Sequence, residues 1–308
     1  MGSCSSHFLS VDHVDEAFFL SLHQRALNVE SDSDFSRQHL LKHEIVANIF
    51  LEASTRTMIS FECALHRLGA QTVRIDAHTS SLSKNESLYD TLLTLRAMGI
   101  RLFVIRSSNS RLEDIARTEF GNTIHMINAG DGSAGHPTQA MLDASVLLQQ
   151  WGHFSGKTLA IIGDVNRSRV ARSNVALLCS FGVNVNVYGP PDLLPTQSWH
   201  TNMNVCRTFE EATQDADAVM MLRVQQERNT NQKTFNLDGH YLDRYGMTLP
   251  RLESLKKDAW LMHPGPTNRG VELQSELVEH PRSLISKQVS RGVSMRMAIV
   301  MDLMGVAA

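Results

Sequence analysis

Cysteine is scarce and scattered. Cys4, Cys63, Cys179 and Cys206 show no C-x-x-C spacing, which argues against a zinc knuckle or a dense disulfide scaffold. Reduced thiols in a cytoplasmic protein are the expectation. No run of 18 apolar residues occurs, so no membrane span is expected. The first residues lack a basic-then-apolar secretory pattern. Charge of either sign is not in excess: 29 Lys and Arg against 32 Asp and Glu leave a net −3. The broad basic footprint of a nucleic-acid binder is therefore missing. No fixed-period repeat and no low-complexity tract is present. One small oddity is Met1-Gly2-Ser3-Cys4-Ser5-Ser6, which fits a loose myristoylation pattern. That pattern recurs often by chance, and a frayed N-terminus is the simpler reading.

What is present is an ordinary globular composition, with 42% hydrophobic residues in 308. That length gives a prior of roughly two domains of about 150 residues each. Apolar runs alternate with helical periodicity along the chain. Ser10 is expected to cap a first helix with Val14, Ala17, Phe18 and Leu22 on one face. Strands are expected at Ile45–Leu51, Thr72–Ile75, Arg101–Arg106 and Thr123–Ile127. Helices are expected after Thr57, up to Met98, over Leu112–Phe120 and over Pro137–Trp151. A second alternation follows: strands at Lys157–Ile162, Val183–Val187, Ala218–Leu222 and Ala259–Met262, a helix at Ser168–Phe181, and an amphipathic helix at Gln288–Met304. This reads as α/β, two domains, each a parallel sheet flanked by helices. Trp151-Gly152 is the natural hinge.

Polar side chains collect just past these strands. In F-L-E-A-S-T-R-T, Ser54 is placed to cap a helix, so Thr55, Arg56 and Thr57 fall in its first turn. That turn carries orphan N–H groups and a partial positive charge. A capping box would put Glu or Gln at position 57. With Thr there, the donors remain for an external anion such as phosphate, and Arg56 adds a planar fork. An ordinary cap beside a surface arginine explains the same residues equally well. His136 and Gln139 are spaced to face one point from a helix start, where neutral donors suit a carbonyl or amide; by itself His136 also reads as a simple cap. Gly163 to Arg172 opens a helix after a strand, but lacks the second and third glycines of a dinucleotide fingerprint. Its three arginines point instead to an anion, although a solvated basic face accounts for one or two of them. Arg223 and Gln225 follow another strand, and His263-Pro264-Gly265-Pro266 makes a rigid turn after the next. Lys84 and Arg106, taken singly, are unremarkable cations. The recurrence carries the weight, since ligands of open α/β sheets bind at the carboxyl ends of strands.

Taken together, these motifs resemble those of the catalytic chain of the aspartate carbamoyltransferases. The resemblance rests on Phe50 to Thr57, S-x-x-K at Ser81 to Lys84, V-I-R at Val104 to Arg106, and A-G-D-G-S-x-x-H-P-T-Q at Ala129 to Gln139. It continues with G-D-V-x-x-S-R-V-A-R-S-N at Gly163 to Asn174, L-R-x-Q at Leu222 to Gln225, and H-P-G-P-x-N-R-G-V-E-L at His263 to Leu273. These run in family order over most of the chain. The resemblance implies the carbamoyltransferase fold, with a carbamoyl-phosphate domain at 1–150, an aspartate domain at 151–287, and a C-terminal helix, 288–308, packing back on the first. It implies that Ser54, Thr55, Arg56, Thr57 and Arg106 hold phosphate. Arg56, Thr57 and His136 would aim at the carbonyl oxygen. Gln139 and the turn Pro264, Gly265 and Pro266 would take the carbamoyl amide. Arg169, Arg223 and Gln225, with Lys84, would take aspartate. Ser81 and Lys84 would enter from a neighbouring subunit of a homotrimer with shared active sites.

No metal and no cofactor is implied, and no nucleic-acid or membrane partner. The motifs do not distinguish a chain that acts alone from one that binds a regulatory chain or a dihydroorotase. Two positions depart from the common pattern: Ser107-Ser108 stand where many relatives have His-Pro, and Asn85 where many have Gly. The second predicts a stiffer Lys84 loop and slower turnover. Ornithine carbamoyltransferase is the nearest rival. Its substrate has a cationic side chain, whereas Arg169 and Arg223 suit a dicarboxylate, and that family has Cys where this chain has Pro264. A non-catalytic paralogue acting as a scaffold is the rival of another class; the complete set of polar residues argues against it.

Overall fold

In the computed structural model, residues 6–31, 37–76, 86–108, 111–132, 135–224 and 240–307 are described. The chain divides into two compact units, one of residues 1–142 with 290–308 and the other of residues 143–289. Each is built on a five-stranded, wholly parallel sheet.

The first unit runs β1 (His7–Phe8), α1 (Glu16–Ser31), β2 (Ile45–Phe50), α2 (Thr55–Arg67), β3 (Gln71–Asp76), α3 (Leu88–Ala97), β4 (Leu102–Ser107), α4 (Leu112–Ala116), β5 (His125–Asp131) and the start of α5 (Pro137–Trp151). Its strand order is β1-β5-β4-β2-β3. Every residue of β4, and all but the first of β2, is buried. Near-continuous apolar runs, broken here only by Asn48 in β2 and by Arg106 and Ser107 at the end of β4, are what a parallel strand covered on both faces requires. Phe103, Ile105, Ala47 and Ile49 pack with Leu92, Leu112 and Met126 in one cluster.

The second unit continues with β6 (Thr158–Ile162), α6 (Arg169–Ser180), β7 (Asn184–Tyr188), β8 (Met203–Val205), α7 (Phe209–Thr213), β9 (Ala218–Met221), α8 (Tyr241–Tyr245), α9 (Leu249–Ser254), β10 (Trp260–Met262) and the start of α10 (Ile285–Leu303). Its order is β10-β9-β6-β7-β8. Ala160, Ile162, Val219, Met221 and Leu261 form its core with Met247 and Leu273. Within the first unit, the later part of α10 is fastened by Arg296, whose Nη1 donates to Ser60 Oγ at 2.8 Å and whose guanidinium lies 5.0 Å over Phe61. Arg291 makes a two-point contact with Glu30, at 2.8 and 3.0 Å.

Some sequence expectations are corrected. The first helix begins at Glu16, because Asp15 Oδ1 accepts the Phe18 N–H at 2.7 Å. Ser10 instead closes a short turn onto the Asp12 N–H. Ala17 is exposed, and the buried face is Phe19, Leu22, His23, Ala26 and Val29. The helix from Leu112 stops at Ala116 rather than Phe120. Thr118 Oγ1 donates to the Ile115 carbonyl and accepts the Gly121 N–H, which takes the chain off the helical path. The short elements β1, β8, α7, α8 and α9 have no counterpart among the sequence expectations, being too brief for a period to register. Among the described residues, no helix is long and apolar enough to cross a membrane.

Candidate active site

In the first unit three neighbouring strands, β5, β4 and β2, end beside one another. Ser54 is the N-cap of α2, and its hydroxyl makes no capping bond. Thr55, Arg56 and Thr57 therefore form a first turn whose N–H groups the cap leaves open. Thr55 and Arg56 are exposed, whereas Thr57 is buried. Arg106 sits at the end of β4, across from Phe50 of β2. The β4–β5 register shifts between Ile105 and Ser107, at Arg106 itself; such irregularities commonly re-aim a side chain. Arg106 is 8% exposed, donates from Nη1 to the Ala129 carbonyl at 3.2 Å, and has Nε 3.8 Å from Glu52. Two cations and a helix N-terminus thus stand at adjoining strand ends.

The loop from β5 to α5 brings in the neutral donors. Asn128 Oδ1 accepts the Gly130 N–H at 2.8 Å while its amide donates to the Leu9 carbonyl. Asp131 and Gly135 exchange backbone bonds across the loop. His136 arrives at 5% exposure with Nε2 3.5 Å from Thr57 Oγ1. Gln139, 8% exposed, lies on the first turn of α5. Ser54, Thr55, Arg56, Thr57, Arg106, His136 and Gln139 are thus all carried by three adjacent strand ends.

The second unit repeats the arrangement with different chemistry. Gly163 follows β6 at φ +124°, and a Cβ there would stand 2.7 Å from the Leu222 carbonyl. Only glycine lets β6 and β9 end this close together. Ser168 caps α6 through its hydroxyl, which accepts the Ala171 N–H at 3.1 Å. Arg169 begins that helix at 9% exposure, and Arg223 is half-buried just past β9. Arg172 is otherwise engaged, lying 4.2 Å over the Trp199 ring. Pro264, Gly265 and Pro266 follow β10, half-buried, with Gly265 at φ +74°. Tyr241, buried nearby in the same unit, has its hydroxyl pKa pushed up by burial first and then by Glu272 and Asp164. Ser81, Lys84 and Gln225, with Asn85, the Met1-Gly2 pattern and Cys4, lie outside the described residues.

Further polar residues, half-buried at Glu52 and buried at the others, lie in the same two units. Glu52 accompanies Arg106. Thr138, Asp143, Asp164, His263, Glu272 and Gln288 are all at most 3% exposed. Glu52, Thr138, Asp164, His263 and Glu272 lie inside the motifs that carry the resemblance; the side chain of Gln288 acquires a meaning only through its partners. Among the described residues, no group of His, Cys, Asp and Glu is arranged to hold a metal ion.

Two wholly parallel α/β sheets, each with arginines and neutral donors at its strand ends, define the class, a two-domain α/β transferase. Residues 6–149 match the family model "Aspartate/ornithine carbamoyltransferase, carbamoyl-P binding domain", and residues 155–303 match "Aspartate/ornithine carbamoyltransferase, Asp/Orn binding domain". The chain belongs to the aspartate/ornithine carbamoyltransferase family. It is 41% identical over 300 residues to the aspartate carbamoyltransferase catalytic subunit of Leuconostoc mesenteroides, covering 96% of this chain and 98% of that one. The same subunit of Thermus thermophilus is 46% identical over 259 residues, 84% of each chain. Among solved structures, the catalytic subunit of M. jannaschii aspartate transcarbamoylase superposes with a TM-score of 0.84 at 28% identity, covering 97% of this chain and 98% of that one. The Trypanosoma cruzi aspartate transcarbamoylase in complex with N-(phosphonacetyl)-L-aspartic acid gives 0.83 at 27%, covering 99% and 96%.

Proposed function

We propose that the chain transfers the carbamoyl group of carbamoyl phosphate to the amino group of L-aspartate, giving N-carbamoyl-L-aspartate and phosphate, a step toward pyrimidines. The relatives named aspartate carbamoyltransferase support the reaction. The observation that carries the residue assignment is the grouping of Thr57, His136 and Arg106 beside the open first turn of α2.

In this reading Ser54, Thr55, Arg56, Thr57 and Arg106 hold the phosphate. The aspartate amine, neutral, attacks the carbamoyl carbon. The new C–N bond forms, charge builds on the carbonyl oxygen, and phosphate leaves with the electron pair of the broken C–O bond and takes up the proton that the amine loses. Arg56, Thr57 and His136 meet the charge on the oxygen; donors set in place beforehand are worth about 2.7–4 kcal/mol each by analogy with oxyanion holes. Gln139 and the carbonyls of Pro264 and Gly265, beside Pro266, accept from the carbamoyl –NH2. Arg169 and Arg223, with Gln225 and Lys84, take the two carboxylates. Holding both reactants in line adds roughly 7–11 kcal/mol at best. The protein works in the cytoplasm as a homotrimer, with Ser81 and Lys84 supplied by a neighbouring subunit.

The test is direct. Pure protein is given carbamoyl phosphate with aspartate or with ornithine, and the carbamoylated amino acid is measured. Product with aspartate alone is expected. Product with ornithine alone would overturn the assignment of Arg169 and Arg223. Product with neither would leave a binding scaffold.

A further inference from the structure

The turn 264–267 is clamped from behind by a buried relay, all of it inside the second unit. Gly265 N–H donates to His263 Nδ1 at 2.9 Å. An acceptor at Nδ1 puts the ring proton on Nε2, which lies 3.2 Å from Glu272 Oε1 and donates to it. That same carboxylate oxygen accepts the Asn268 N–H. One oxygen therefore ties down both ends of the turn. The His263 backbone N–H donates to Gln288 Oε1 at 3.0 Å, and Gln288 Nε2 donates to Asp143 Oδ1 at 2.8 Å. Asp143 Oδ2 accepts from Asn174 Nδ2 at 2.9 Å. His263, Glu272, Gln288, Asp143 and Asn174 are 0 to 3% exposed.

Burying two carboxylates and an imidazole is a poor way to gain stability, since well-packed apolar groups serve as well or better. The relay has a directional consequence that apolar packing lacks. Pro264 and Pro266 carry no N–H, and the Gly265 N–H is consumed by His263. The stretch from Pro264 to Pro266 therefore has its one donor engaged and carbonyls left to offer. A row of acceptors favours a ligand –NH2 and gives nothing to a methyl group.

We infer that His263, held by Glu272 and Gln288, is a positioning residue that makes this turn select a carbamoyl over an acyl group. The inference rests on the reading of Pro264 and Gly265 as the amide receptor. The probe is acetyl phosphate, which has a methyl where carbamoyl phosphate has its amine. Its inhibition constant against carbamoyl phosphate is compared with the dissociation constant of carbamoyl phosphate, in the full-length protein. The ratio does not depend on the active fraction of a preparation. Wild type should prefer carbamoyl phosphate. His263→Leu should lose about tenfold of that preference, the size of one good hydrogen bond. His263→Asn, whose side chain can accept the N–H two residues on as an Asx-turn, should regain most of it. Gln288→Leu should lose preference in the same sense.

If wild type fails to discriminate, the amide-receptor reading falls. If wild type discriminates and both His263→Leu and Gln288→Leu discriminate equally well, the relay is structural only and the inference falls. Should the variants not fold, ¹⁵N shifts of the His263 ring in the wild-type protein decide: the Nε2–H tautomer is expected, and an Nδ1–H ring or an imidazolium would overturn the proposal.

Discussion

The two units make the same structural move with opposite wiring. In each, a serine ends the loop after a sheet strand and takes the N-cap position of the next helix. In the second unit Ser168 spends its hydroxyl on the Ala171 N–H of its own helix. In the first, Ser54 makes no such bond to α2. An internal cap stabilises a helix; an open start costs some stability but supplies N–H donors to a phosphate. The difference tracks the proposed ligands. A phosphate suits a fan of backbone donors backed by Arg56 and Arg106. A dicarboxylate spans a greater length and is better met by separate arginines such as Arg169 and Arg223.

Removing Arg56 should break this contrast most sharply. Arg56→Ala is expected to lower kcat by about 10³-fold, since it withdraws both a phosphate contact and an oxyanion donor. Its side chain is exposed, so the melting transition should stay within about 0.5 kcal/mol of wild type. Near-normal turnover would sink the proposed mechanism.

Arg169→Ala probes the other half. It should raise KM for aspartate by about 10- to 100-fold, the span expected of hydrogen bonds to a charged group. Carbamoyl-phosphate binding, measured by calorimetry, should not change. A loss of carbamoyl-phosphate affinity instead would show that the labour is not divided between the units as proposed.

The two serines give a smaller, paired effect. Ser168→Ala should cost about 1 kcal/mol of stability in urea unfolding. Ser54→Ala should cost far less, because no capping bond is lost, and should weaken phosphate binding. Equal destabilisation by the two variants would contradict the contrast.

Acid should separate the units more gently. Burial holds the pKa of His7 and of His23 at about 4, with His125 adding to the lowering for His7; at His23 Arg291 adds to it and Glu30 opposes it. The unfolded chain takes up those protons below about 6.5, so the folded state is favoured above that value and loses stability as pH falls toward 4. Asp302, whose carboxyl burial raises, offsets part of this at the acid end. In the second unit burial pushes Cys179 up to about 12 and Cys206 to about 11, so neither titrates in acid. Amide exchange at pH 7.5 and 5.0 should therefore show protection falling first around β1 and α1. Uniform loss across both units would refute the assignment to these histidines.

Much of the architecture could be read from the chain because parallel strands buried on both faces write themselves as apolar runs, as Ile45–Phe50 and Thr158–Ile162 do. Short pieces such as Met203–Val205 escaped because three residues do not make a period. The arginines and His136 stood out by recurring after strands, a local pattern. Gln288 did not, for it is one polar residue on an otherwise amphipathic helix and its bonds reach back to position 143.

By itself, then, the sequence determined the alternation of strands and helices, the placing of cations and neutral donors at strand ends, and the family resemblance. Each of these depends on residues close together in the chain. The tertiary structure alone decided that the Ser54 hydroxyl would make no capping bond while that of Ser168 closes its own helix. It also decided that Thr57 and His136, 79 positions apart, would stand 3.5 Å from each other, and that His263 would be fixed by Glu272 and Gln288. Hydrogen bonds between distant residues depend on where the sheet delivers its strand ends, and the order of strands in the sheet, β5-β4-β2 in one unit and β10-β9-β6 in the other, is not the order of the chain.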